Sequence, residues 1–238
     1  MPGRLVTAWL GEPRIPETSS ESRGELADLV GQSERGNGYI SLEPGLAVFR
    51  HPCGVITWAA SGRTAFAVGG VHSADDPVAL LRAFREHVVG AGFRRVLLFP
   101  VSERELSVVQ GAGFQCLAVG SEAFIDPSSF SVSGGAMADL RQMLNRGRSR
   151  YGLRAEEISI AEGFGNVLEV YDEWLRARPA GHRLQLLVGT PRLDEPFGRR
   201  YFVARDEGRA HALVTLTPGW GGAGYGVDVM ARLPDAAA

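Results

Sequence analysis

Short apolar runs separated by glycine- and proline-bearing turns divide most of the chain beyond residue 38. Residues 11–38 are rich in Glu, Ser, Gly and Pro and carry little apolar periodicity. They predict a mobile leader over residues 1–38, with a short helix at Gly24–Gly31 and order beginning near Tyr39. Leu46–Arg50, Val55–Ala60 and Thr64–Val68 are apolar runs broken by glycine turns, the pattern of an antiparallel meander. Asp76-Pro77 then places a helix cap and a first-turn proline before Val78, Leu81, Phe84 and Val88, whose spacing predicts a helix as far as Val89. Gly90-Ala-Gly92 ends it. Val96–Phe99 reads as a strand, Glu103–Gln110 as a short helix and Phe114–Val119 as another strand.

The second half predicts helices at Ala136–Arg146 and Gly163–Arg178, the latter with Val167, Val170, Tyr171, Trp174 and Leu175 on one face. Strands are expected at Arg200–Arg205, Ala210–Thr217 and Gly224–Met230, with Asp206-Glu-Gly208 as a tight hairpin turn. A meander followed by βα alternation describes an α/β (α+β) layer fold. The closing three-stranded meander does not cover both faces of a sheet, so the second domain reads as incomplete.

Composition narrows the chemistry. All 25 basic residues are arginine, and the net charge is −2. Schiff-base lysines and phosphate-loop lysines are therefore excluded, and any nucleic-acid contact must come from a local patch. The two cysteines, Cys53 and Cys116, have no metal-ligand spacing, so no metal site is expected. Cys116 reads as a small core residue of its strand. Neither a signal peptide nor a membrane span is visible, which predicts a cytoplasmic protein.

Glycine-rich Gly219–Gly224 lies between strands and reads as a hairpin connection, since phosphate cradling needs a strand-to-helix turn. Gly69-Gly70 precedes His72, Asp75 and Asp76 and leads to a helix start, where either a cap or an anion site fits. The five histidines find no evident nucleophile or carboxylate partner in sequence. Two acidic positions stand out. Glu122 follows the Phe114–Val119 run, as a carboxylate in an apolar strand, directly before a segment with Arg141, Arg146, Arg148, Arg150 and Arg154 and no acid. Asp228 alternates with valines and is either solvent-facing or in need of an inward partner. The arginine segment either binds phosphates or forms a solvated basic helix end.

In their order, these residues resemble the soluble catalytic domain of bacterial phosphatidylglycerol lysyltransferases, the multiple peptide resistance factor family. The resemblance runs from about Tyr39 to Pro234. It rests on Ser41-Leu-x-Pro-Gly45, Gly69-Gly70, Gly113-Phe114, Gly120-x-Glu-Ala-x-Ile-Asp126, Phe130-Ser131, Gly134, Leu140-Arg141, Asn145-Arg146, Gly152, Trp174-Leu175 and Asp228-Val-Met-Ala-Arg232. It implies two tandem GNAT-like units with mixed, largely antiparallel sheets, at residues 39–130 and 131–238, the second truncated.

It also implies an aminoacyltransferase that moves an amino acid from charged tRNA to a hydroxyl, on a lipid headgroup such as phosphatidylglycerol or on a small molecule. No cofactor is expected beyond aminoacyl-tRNA as co-substrate. In that scheme Asp228 and Glu122 are the catalytic carboxylates. Arg232, Arg141, Arg146 and Arg150 bind substrate, and the chain is cytoplasmic or peripheral at the inner face of the membrane. Three departures accompany the resemblance: Ala231 stands where the family has an arginine, the family's membrane-spanning half is missing, and the chain stops just after that strand. The alternatives are an acyl-CoA-dependent acyltransferase, for which no pyrophosphate-binding turn is visible, and a degenerate domain without catalysis.

Overall fold

The computed structural model describes residues 23–33, 35–73, 75–159, 165–177, 189–194 and 197–234. These form an α+β structure with two four-stranded sheets. The chain divides into two compact units, residues 1–116 with 185–189 and 218–226, and residues 117–184 with 190–217 and 227–238. Residues 1–22 of the expected leader, and His182, lie outside the described residues.

In the first unit, strands β1 (Ala47–His51), β2 (Gly54–Ser61) and β3 (Thr64–Ser73) form the expected antiparallel meander. Strand β4 (Arg95–Phe99) runs parallel to β3, with Thr64 opposite Arg95 and Val68 opposite Phe99. A parallel pair needs a crossover, which helix α2 (Pro77–Gly90) supplies. Asp76 Oδ1 accepts the Ala79 N–H at 2.9 Å, so the cap and proline read from sequence start the helix as expected. Gly92, at φ +96°, ends it, and the Phe93 N–H returns to the Val88 carbonyl. Leu80, Leu81, Phe84 and Val88 are fully buried against Ile56 and Trp58 of β2. The Trp58 ring meets Phe84 and Phe93 edge-on, at 6.0 and 5.3 Å between centroids.

Helix α1 (Arg23–Gly31) belongs to this unit, so order begins before Tyr39. Leu26 and Val30, four residues apart on one face, are both buried. Two well-placed apolar residues suffice to dock a segment whose overall composition reads as a leader. The glycine-rich turn Gly219–Gly224 is a connection between strands, as expected. Its Trp220, held at φ +50°, lies against Gly36 so closely that a Cβ there would come within 2.4 Å of the indole.

The expected strand at Phe114–Val119 is absent: residues 112–126 adopt no regular structure apart from the turn ending α3 (Leu106–Gly111). Leu117, Val119, Phe124 and Ile125 are exposed, as is Cys116, which is therefore no core residue. A strand exists only through its ladder, and an apolar run does not reveal whether a partner is present.

The second unit contains α4 (Ala138–Tyr151), β5 (Arg154–Ile158), α5 (Val167–Arg176), β6 (Arg200–Arg205), β7 (Ala210–Gly219) and β8 (Gly224–Arg232), the last two strands ending and beginning in the first unit. The sheet order is β5-β6-β7-β8, with β5–β6 and β6–β7 antiparallel. Asn166 fixes the start of α5 to β7 by exchanging hydrogen bonds with the Ala210 backbone at 2.9 and 3.0 Å. Val167, Val170 and Tyr171 then pack on Val203, Leu213, Val229, Ala231 and Leu233. The hairpin turn expected at Asp206 is present. Its carboxylate accepts the Gly208 and Arg209 N–H groups and contacts His211 Nε2 at 2.8 Å. Those bonds hold the Asp206 carboxyl well below the usual range.

Candidate active site on the second sheet

Val229, Ala231 and Leu233 face the α5 core. Strand alternation therefore puts Asp228, Met230 and Arg232 on the other face of the sheet. Asp228 is only 12% exposed at its side chain and has the inward partner its strand demands: Arg199, with 0% side-chain exposure, directs Nε toward Asp228 Oδ2 at 3.4 Å. A charge removed from water needs such compensation, and Arg199 supplies it from 29 residues away.

Around this pair the second unit gathers further polar groups. Tyr201 is 2% exposed and donates its hydroxyl to the Arg192 carbonyl at 3.0 Å, and burial pushes its phenol up to about 12. Arg192 is itself buried, sits at φ +47°, and pairs with the exposed Asp194 at 3.3 Å. A non-glycine residue in the left-handed region stores local strain, and such strain concentrates where a fold holds a functional segment in place. Thr215, fully buried, accepts the Val229 N–H at 3.0 Å and fixes β8 beside Asp228. Arg192, Arg199 and Tyr201 were not singled out from sequence. The available signal was the demand of Asp228 for a cation, but the pattern does not say which arginine answers it.

The other sequence candidates lie in different surroundings. Glu122 is in the irregular exposed stretch, so it is not a buried strand carboxylate. Arg141 Nη1 donates to the carbonyls of Val132 and Gly134, both at 2.6 Å, and so anchors the loop before its helix. Arg146 and Arg150 are exposed on α4, the Arg150 guanidinium lying 5.5 Å from the Tyr151 ring centre. Arg232 is exposed near the end of β8. Ala231, where an arginine was expected from the resemblance, is 2% exposed within the apolar core.

The first unit holds a separate polar feature. Gly69 and Gly70, at φ +71° and +99°, bulge from β3 where the register jumps from Ile56–Val71 to Thr57–Val68. The space is used by side chains. A Cβ at Gly69 would come within 2.0 Å of Ser41 Oγ, and one at Gly70 within 2.1 Å of the Arg35 guanidinium. Ser41 Oγ lies 2.9 Å from His72 Nε2, and Arg35 pairs with Glu105. Burial, then the charge of Arg35, lowers the His72 imidazole to about 4, so it is neutral at pH 7. Burial also lowers Arg35 to about 10. Arg35, Arg50, Cys53, His72, Arg104 and Glu105 border a cavity of about 990 Å³. The histidines thus do have partners, Ser41 for His72 and Asp206 for His211, contrary to the sequence reading. Among the described residues, no group of three or more His, Cys, Asp or Glu side chains could hold a metal ion.

The architecture, two four-stranded sheets each backed by helix, has counterparts among known proteins. The family model described as phosphatidylglycerol lysyltransferase, C-terminal, matches residues 36–238. The chain belongs to this family.

A curated relative, the lysylphosphatidylglycerol biosynthesis bifunctional protein LysX of Nocardia farcinica, is 28% identical over 199 residues; the match covers 75% of this chain and 17% of that protein. The C-terminal domain of an Agrobacterium fabrum protein assigned as a lysylphosphatidylglycerol synthetase superposes with a TM-score of 0.77 at 23% identity, covering 92% of this chain and 70% of the other. L-PGS from Bacillus licheniformis gives a TM-score of 0.74 at 19% identity, covering 94% and 69%. These two likenesses establish the fold. Among the described residues, no helix is long and apolar enough to cross a membrane.

Proposed function

We propose that this chain is an aminoacyl-tRNA-dependent aminoacyltransferase that moves an amino acid from charged tRNA to a hydroxyl acceptor, a phospholipid headgroup such as that of phosphatidylglycerol or a small molecule. Membership of the family over residues 36–238 carries this reading. The nearly buried Asp228–Arg199 pair supports its placement on the second sheet. An aminoacyl ester is already activated, so the protein has three tasks: to position two substrates, to remove a proton from the hydroxyl and to stabilise the developing oxyanion. Asp228, held by Arg199, orients the ammonium-bearing aminoacyl group. Arg232, on the same face, serves the phosphate or the oxyanion. Glu122 is a second acidic contact, and Arg146 and Arg150 meet phosphates. In this reading the protein works in the cytoplasm or at the inner face of the membrane.

The test is transfer of radiolabelled amino acid from charged tRNA to an extractable product, with and without ribonuclease. Ribonuclease-sensitive transfer that is lost in Asp228→Asn supports the reading. Turnover of acetyl-CoA, with no transfer from any charged tRNA, would overturn it in favour of an acyl-CoA-dependent enzyme. A second reading, a binding domain without catalysis, is favoured by Ala231, because an apolar core occupies the position where the resemblance expects an arginine. Absence of transfer with retained binding of charged tRNA would select it.

A further inference from the structure

Beside the arginines that the transfer reading assigns to phosphates, helix α4 carries an apolar arc that the transfer chemistry does not use. At about 100° per residue, Leu140, Met143, Leu144, Gly147 and Tyr151 share an arc of about 100°. Arg141 and Arg148 border that arc on one side, Arg146 and Arg150 on the other. The opposite face is uncharged, with Gln142, Asn145 and Ser149. In a soluble domain such a stripe ordinarily packs on the core. Here no residue of the helix is buried: Met143 is 61% exposed, Leu144 42% and Leu140 36%. Phe130, in the segment Arg141 anchors, is 48% exposed as well.

We infer that α4 is a docking helix for an anionic lipid bilayer, lying in the interface with its apolar arc toward the acyl chains. Arg148 on one border and Arg146 and Arg150 on the other then reach outward to lipid phosphates while their methylene stems stay in the apolar layer, and Arg141 keeps its hold on the preceding loop. Charge complementarity selects this occupant. An RNA groove would be served by arginines alone and would gain nothing from Met143 and Leu144 between them. Asp139, on the border of Arg146 and Arg150, is the one acid of α4, and no other follows as far as residue 154, so four arginines outweigh it toward an anionic surface. The inference deepens the proposed function, since a bilayer-docked helix would bring the domain to a lipid acceptor.

The experiment is cosedimentation of the full chain with vesicles of pure phosphatidylcholine or of an equimolar mixture with phosphatidylglycerol, without tRNA. Binding to the anionic vesicles alone, weakening as salt rises, is expected. Arg148→Glu with Arg150→Glu should lower the partition coefficient by at least tenfold, given about fivefold per arginine at an anionic surface. Gln142→Glu with Ser149→Glu makes an acidic change on the opposite face and should cost much less. In Tyr151→Trp, the indole emission should shift to the blue on adding anionic vesicles.

Equal losses from both double variants, an unshifted indole, or retained vesicle binding in the arginine variant with loss of binding to an RNA hairpin would each overturn the proposal. Because no transfer is measured, failure here leaves the enzymatic reading intact. Loss of transfer with intact vesicle binding sinks only that reading.

Discussion

Arg199 reaches Asp228 from outside the strand that carries it, and it does so with no exposed side-chain surface of its own. Removing one member takes from the other a nearly buried opposite charge, at a cost of up to about 3–5 kcal/mol, whereas replacing both by apolar residues of similar size is closer to neutral. Arg199→Met alone should therefore lower the denaturant midpoint strongly, and Arg199→Met with Asp228→Leu should recover most of it. Asp228→Asn retains a hydrogen-bond acceptor for Arg199, which makes it the variant for separating transfer from folding. Urea titrations of the three proteins decide the matter. Additive losses in the double variant would show that the two side chains are not coupled.

Restoring an arginine at position 231 is expected to fail as a gain-of-function experiment. Ala231 packs with Val229, Leu233 and the α5 residues Val167 and Val170. Ala231→Arg should destabilise the second unit by several kcal/mol, through overpacking and a desolvated charge. Thermal unfolding measures this. Unchanged stability together with raised transfer would mean that the side chain escapes the core.

The imidazole of His72 links stability to pH. Its folded value is about 4 against an ordinary 6.5. Between those values the unfolded chain binds the proton and the folded one does not, so stability falls as pH drops from 6.5 to 4. Above 6.5 both forms are neutral and the effect vanishes. The loss is roughly 3 kcal/mol at the acid end of the window. His72→Gln should flatten this part of a stability-against-pH curve, and a parallel curve would show that other groups dominate.

Gly69 is expected to resist substitution even by alanine. Its φ of +71° disfavours a Cβ, which would also come within 2.8 Å of the Ser41 backbone nitrogen. Gly69→Ala should cost about 2 kcal/mol or more. Gly62, also at positive φ but with open space around it, is the comparison, and its alanine variant should lose less. Equal melting temperatures for the two would remove the steric part of the argument.

Local chemistry accounts for what the sequence revealed. The Asp76-Pro77 cap, the apolar runs and glycine turns of β1 to β3 and the Asp206 hairpin each depend on neighbours a few residues away, and all are present in the structure. Strand β5, Arg-Ala-Glu-Glu-Ile, gave no apolar signal. Its pairing with β6 is accompanied by exposed ion pairs, Glu157 with Arg200 at 2.6 Å and Glu156 with Arg205 at 3.2 Å. The Phe114–Val119 run looked like a strand and is not one, because a ladder partner is a tertiary fact. At the candidate site Asp228 was legible as a carboxylate needing compensation. The identity of Arg199, and the Arg192–Tyr201 contact, depend on chain crossings that no local pattern encodes.

The indole of Trp220 resting on Gly36 joins residues 184 positions apart within the first unit. That unit is therefore not a cassette bounded by a single cut in the chain. A crossover after residue 116 would take Gly36 and leave Trp220 behind. Any exchange of the front half of this fold that is to keep this contact has to carry the 218–226 turn with it.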